Sequence, residues 1–178
     1  MSISTFSPHL ENLSKAVETL ETLDYPIGKL RAIYTEIYVA HELYKFSPQI
    51  GYGRKSHGAD IYLPGLMKRV EVKGVEKDVF SGSADYAWAI GPNQLKDHKF
   101  DYCVLVGYKR GLLVAKVFVL TYEDFEEDYT NGKFHNPSFV RNLAGLSYGE
   151  NFIGETPLER KMHDHPENYE SRWDKISS

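Results

Sequence analysis

One cysteine, Cys103, stands in the 178 residues of this chain. An internal disulfide is therefore excluded, and a reducing, cytoplasmic compartment is expected. No apolar run approaches the roughly 18 residues that read as a membrane span. The opening Met1-Ser-Ile-Ser-Thr-Phe-Ser has neither the basic start nor the apolar stretch of a secretory leader. There is no Gly-x-Gly-x-x-Gly and no P-loop, which argues against nucleotide-cofactor chemistry. Internal repeats, low-complexity tracts and Pro/Gly/Ser-rich linkers are also missing, so collagen, coiled coil and wholesale disorder are excluded.

What is present is ordinary for a globular domain: 42% hydrophobic and 26% charged residues. A chain of this length forms about one domain and buries roughly 70% of its extended surface. We expect a single domain over 1–178, with a core at about 28–120 and a C-terminal extension from 121 whose last ~20 residues are weakly anchored. The net charge of −4 hides an asymmetry. From Lys45 to Lys116 there are 12 basic and 7 acidic residues, a balance of +5, against 9 and 18 in the two flanks, a balance of −9. A basic middle between acidic flanks suits a local binding face as well as it suits a solvated surface.

Periodicity divides the chain into elements. Leu10, Leu13, Val17 and Leu20 predict a helix over 9–23, and Leu30, Ile33, Ile37, Ala40 and Leu43 one over 28–46. Residues 47–59, with three glycines and a proline, read as a loop with room for a short strand. Strands are expected at 60–63, 68–73, 86–90, 102–106 and 112–120, with a short helix at 93–98. The acidic run Glu123–Asp128 opens a further helix. This order predicts an α/β (α+β) domain, a central mixed β-sheet flanked by helices.

Three ionisable residues stand on the expected strands. Glu71 and Lys73 share one face of their strand, while Val70 and Val72 share the other. If the 60–63 and 68–73 segments pair, Asp60 falls beside Glu71, at the ~4.5–5.5 Å between Cβ atoms of facing residues. Two carboxylates at that range call for a cation, and a divalent metal answers best. Magnesium takes one or two carboxylates plus water and phosphate oxygens. Lys73 would then stand where it orients attacking water or stabilises charge on a phosphate. Glu36, on the preceding helix, adds a further charge for a second metal or a water-mediated contact. Taken singly, Asp60 is also an ordinary turn residue, Glu71 and Lys73 an ordinary polar strand face, and Glu36 a solvated helix residue.

Taken in order, Glu36, then Gly58-Ala59-Asp60, then Glu71-Val72-Lys73 resembles the PD-(D/E)XK nuclease superfamily. Ala59 stands where that motif carries proline. The resemblance covers roughly residues 28–107. It implies a restriction-endonuclease-like αβββαβ core and a Mg²⁺-dependent phosphodiesterase site, with Mn²⁺ as a substitute. It further implies Asp60 and Glu71 as metal ligands, the Val72 carbonyl as another, and Lys73 as the catalytic lysine.

Around this set lie candidates for DNA contact. Gln94 falls where several such nucleases carry a site-lining polar residue. Lys96 and Lys99, with Ser81 and Ser83, suit phosphates. Arg54, Lys55, Ser56 and His57 form a loop before Asp60 that could enter a groove, with Arg54 reading bases. Each is equally at home on a solvated surface. His163-Asp-His165 lacks further ligands for a metal, and Cys103 sits in the most apolar strand as a core residue. The expected function is a Mg²⁺-dependent DNA endonuclease, of the type II restriction kind, acting as a homodimer on DNA with no membrane partner. The alternatives are a Holliday-junction resolvase or repair nuclease, a non-catalytic DNA-binding protein on the same fold, and a metal-using enzyme of small molecules.

Overall fold

The computed structural model describes residues 3–23, 25–52, 58–76, 87–90, 94–95, 97–109, 112–130, 138–141 and 157–177. Helices α1 (Ile3–Thr22) and α2 (Gly28–Leu43) pack against each other at the start of the chain. The first helix begins six residues earlier than expected, because it accommodates Pro8 within its length. A proline there costs one backbone hydrogen bond without ending the helix. The second stops three residues earlier than expected. The Ser47 N–H still donates to the Leu43 carbonyl, but Pro48 follows, and the residue before a proline is pushed out of helical conformation.

Three strands then run as an antiparallel meander: β1 (Gly51–Tyr52), β2 (Ile61–Leu63) and β3 (Lys68–Glu76). A crossover carrying β4 (Ala87–Ile90) leads to β5 (Tyr102–Lys109), which lies parallel to β3. The strand β6 (Leu113–Thr121) returns antiparallel to β5. The result is a five-stranded mixed sheet in the order β1-β2-β3-β5-β6, with helices beside it. Mixed α+β content was thus expected correctly. The third expected strand was not: 87–90 leaves the main sheet and pairs with β7 (Ser138–Arg141). The short strand in the glycine-rich loop takes its place in the meander. Both β3 and β5 also run on through Gly74 and Gly107, past the ends expected at 73 and 106.

Alternation along the strands gives the sheet two cores. Val70, Val72, Tyr102, Val104, Val106, Val117 and Val119 meet Tyr34, Val39, Ala40 and Leu43 of α2 and Val17 of α1. On the opposite face, Cys103, Leu105, Phe118 and Leu120 meet Leu95, Phe100 and Phe125. Phe125 belongs to α3 (Tyr122–Thr130). This helix opens at Tyr122 through a reciprocal cap, in which the Thr121 N–H donates to Asp124 Oδ2 at 2.7 Å and the Asp124 N–H donates to Thr121 Oγ1 at 3.3 Å.

The expectation of a weakly anchored tail is corrected. Leu158 and Met162 of α4 (Pro157–Asp164) are buried in the second core. Beyond a 3₁₀ turn at Pro166–Asn168, Glu170 forms an antiparallel bridge with Phe118. The Val119 N–H donates to the Tyr169 carbonyl and the Ser171 N–H to the Val117 carbonyl, each at 2.9 Å. Lys116 binds both carboxylate oxygens of Glu170 at 2.9 Å, and Ile176 of α5 (Asp174–Ser177) is buried in the first core. The extension is a strap along β6.

At the other end of the parallel pair, Asp101 Oδ2 accepts from the Arg69 N–H at 2.7 Å and from Arg69 Nε at 3.1 Å, while Oδ1 accepts from Nη2 at 3.2 Å. Partial burial by itself raises the Asp101 pKa, but these bonds outweigh it and hold the carboxyl below its ordinary range. Its stabilising contribution is therefore complete above the unfolded pKa and lost as pH falls through the lower folded one. Asp101→Ala is expected to cost about 1–3 kcal/mol in urea denaturation at pH 7, and the difference from wild type should narrow below pH ~4.

Candidate active site

The register of β2 on β3 builds the site. Ile61 faces Val70, Tyr62 faces Arg69 and Leu63 faces Lys68. One step further, that register sets Asp60 opposite Glu71, as the sequence spacing predicted. Asp60 itself lies just outside β2, where the two strands part. Its Oδ2 accepts from the Val72 N–H at 2.8 Å, taking the place of a strand carbonyl. A residue's N–H and C=O project to the same side of a strand, so the Val72 carbonyl faces this fork too.

Glu71 is buried, with its side chain 5% exposed. Its Oε1 accepts from Lys73 Nζ and from Gln94 Nε2, both at 2.5 Å. Gln94, read from sequence as a site-lining residue and a candidate DNA contact, lines the site as a direct partner of the second acid. It arrives from the crossover on helical backbone inside the predicted 93–98, with Gln94 and Leu95 helical and Asp97 and His98 in a turn among the described residues there. The parallel pairing of β3 and β5 sets Cys103 beside Glu71 and Leu105 beside Lys73. Cys103 is fully buried, and burial first, with the Glu71 charge adding to it, drives its thiol pKa well above the ordinary value. It is a neutral floor, as a core cysteine should be.

Glu36 comes from α2, whose layer lies on the opposite side of the sheet. Beyond Val70, β3 has no β2 partner among the described residues, and no described strand lies between that edge and α2. The Glu36 carboxyl pKa is raised, by burial first and then by the Asp60 and Glu71 charges, with Lys73 opposing. All four residues named from the sequence therefore share one electrostatic neighbourhood.

Among the described residues, that neighbourhood holds more carboxylates than cations. Asp60 is pushed up from 3.8 to about 6, by burial first and by the Glu71 charge next, against the Val72 N–H and Lys73. Burial by itself would lower the Lys73 pKa, but Glu71 overcomes this and raises it, so the lysine stays cationic. Among the described residues, one ammonium, that of Lys73, acts on all three carboxylates. Hard, adjacent, mutually repelling oxygens at the edge of a sheet fit a divalent cation of the magnesium type. Asp60 Oδ1, Glu71 Oε2 and the Val72 carbonyl are the atoms that would hold it. Among the described residues no group of three or more His, Cys, Asp or Glu is arranged as a metal cage. Two protein carboxylates plus water is the usual complement for magnesium.

The remaining candidates separate. Lys99 is engaged with Asp97 at 3.2 Å and is half-exposed. Arg54, Lys55, Ser56, His57, Ser81, Ser83 and Lys96 lie outside the described residues. In the tail, His165 Nδ1 stands 3.3 Å from Glu167. No protein-family model matches this chain, and no curated protein matches it.

The raised Asp60 pKa has a measurable consequence. Between pH 3.8 and about 6 the folded protein holds a proton that the unfolded chain has lost, so stability falls as pH rises through this window. In metal-free protein at pH 8, Asp60→Asn is expected to raise stability by on the order of 1–3 kcal/mol, because Asn keeps an oxygen for the Val72 N–H. The gain should vanish near pH 4, as read from melting temperatures across pH, and magnesium should stabilise wild type but not the variant.

Proposed function

We propose that this chain is a Mg²⁺-dependent DNA endonuclease with a restriction-endonuclease-like core. The observation that carries the reading is the convergence of Asp60, Glu71 and Lys73 at the fork where β2 leaves β3, with Glu36 in the same field. The surrounding architecture supports it: a helix bearing Glu36, an antiparallel three-strand meander bearing both acids and the lysine, then a crossover into a parallel strand.

Each residue has a task that its contacts suit. Asp60 Oδ2 is held by the Val72 N–H and Glu71 Oε1 by Lys73 and Gln94, while the two carboxylates also interact with each other, so a cation between them would take up their remaining oxygens. A divalent cation bound there supplies Lewis-acid polarisation of a phosphoryl oxygen and lowers the pKa of bound water. Lys73, held cationic by Glu71, would orient the attacking water or stabilise charge developing on the phosphate. Gln94 fixes the Glu71 carboxylate so that its second oxygen keeps one direction. Within this class we favour a type II restriction enzyme acting as a homodimer on duplex DNA, because cutting both strands takes two sites related by a dyad. A binding protein on the same fold has no use for a buried, mutually repelling acid pair.

Plasmid DNA incubated at low salt with Mg²⁺ or Mn²⁺ is expected to be cut into discrete fragments, and to survive in EDTA. Lys73→Ala and Glu71→Ala should each lose at least ~10²-fold in rate, with circular dichroism showing both folded. Nicking or smearing with the same metal dependence would indicate a repair or structure-specific enzyme. Equal behaviour of folded wild type and variants would overturn the catalytic reading.

A further inference from the structure

We infer that Thr35, Gly74 and Tyr108 are positioning residues that seat Glu36 against the acid–lysine cluster, an inference that rests on the nuclease reading and deepens it. Gly74 follows Lys73 directly and faces α2. A methyl at Gly74 would lie 2.2 Å from Thr35 Oγ1 and 3.0 Å from both Thr35 Cβ and Cγ2. Its φ lies outside the left-handed region, so space rather than backbone conformation is what requires glycine here.

Thr35 cannot yield easily. It is 1% exposed, and its branched Cβ leaves few rotamers. Its hydroxyl donates to the Arg31 carbonyl at 2.7 Å and accepts from the Tyr108 hydroxyl at 3.0 Å. Tyr108 is fully buried on β5 and sits edge-on to Tyr34, 5.8 Å between ring centres. The α2 helix therefore docks on β3 through a threonine in a side-chain-free notch, tied from behind by the neighbouring strand. Glu36 is the next residue of the helix, and Lys73 the previous residue of the strand. The notch sets the height of one over the other. A shift on the order of 1 Å in a catalytic constellation costs about a hundredfold in rate.

The test uses Gly74→Ala, Gly74→Ala/Thr35→Ala, Glu36→Gln and their combinations in the full chain. In DNA cleavage, Gly74→Ala should raise the half-saturating Mg²⁺ concentration about tenfold, to the level of Glu36→Gln. The two changes together should do no more than either. Thr35→Ala, by making room for the methyl, should restore most of the loss. A second readout needs neither metal nor DNA. In metal-free protein at pH 8, the melting-temperature shifts of Glu36→Gln and Asp60→Asn should be non-additive. They should become additive in the Gly74→Ala background, and non-additive again when Thr35→Ala is added. Tyr108→Phe, which adds no atoms, serves if the methyl prevents folding, and should move both readouts in the same direction by less. A Gly74→Ala protein that melts lower but keeps the wild-type Mg²⁺ dependence and the wild-type coupling would overturn the inference. If wild type cuts no DNA with any divalent cation, the nuclease reading falls, and the Glu36–Asp60 coupling alone decides whether the notch positions Glu36.

Discussion

Two carboxylates that repel each other are held side by side by strand pairing, and the rest of the site is arranged around that enforced proximity. The β2–β3 register leaves Asp60 and Glu71 no other place to be. The strands part at that step, so the Val72 N–H has Asp60 for a partner in place of a carbonyl. Lys73 and Gln94 answer one oxygen of Glu71, and Asp60 stands against it as a second acid. Burying Asp60 beside Glu71 disfavours its charged form, a cost to folding that the rest of the sheet offsets. It does so with two apolar cores, one per face, and with the Arg69–Asp101 clasp at the start of the parallel pair. Local destabilisation set in a well-packed frame is what a functional site costs a fold.

Much of this was legible in the sequence because it depends on short-range rules. Period-two alternation set Glu71 and Lys73 on one face, and a short connection brought Asp60 opposite Glu71. The apolar run at 102–106 read correctly as a buried strand, and Cys103 as part of the core. Errors arose where tertiary context outweighs local signals. Pro8, Gly74 and Gly107 look like breaks but lie within a helix and two strands. The strand at 87–90 has the right composition for the meander yet pairs with 138–141. Pairing across such a separation leaves no local trace in the sequence.

The site contacts that sequence reading did not specify share that cause. Gln94 is near Glu71 only because the crossover folds back over β3, and Cys103 only because of the parallel register. The contact of Thr35 with Gly74 joins a helix and a strand 39 positions apart. One weak local signal existed for the last pair: a threonine one residue before the helix glutamate, and a glycine one residue after the strand lysine.

The strap along β6 also bears on synthesis. Glu170 bridges Phe118 across about fifty residues of chain. At ribosomal rates of ~5–20 residues per second, roughly 3–10 s separate the emergence of these two partners. Until Tyr169–Ser171 arrive, the edge of a strand containing the buried run Val117–Leu120 is open to any neighbouring nascent chain. Lys116, which later binds Glu170, lies at the start of that run. A charge at that position is of the kind that deters edge-to-edge pairing of an uncovered strand.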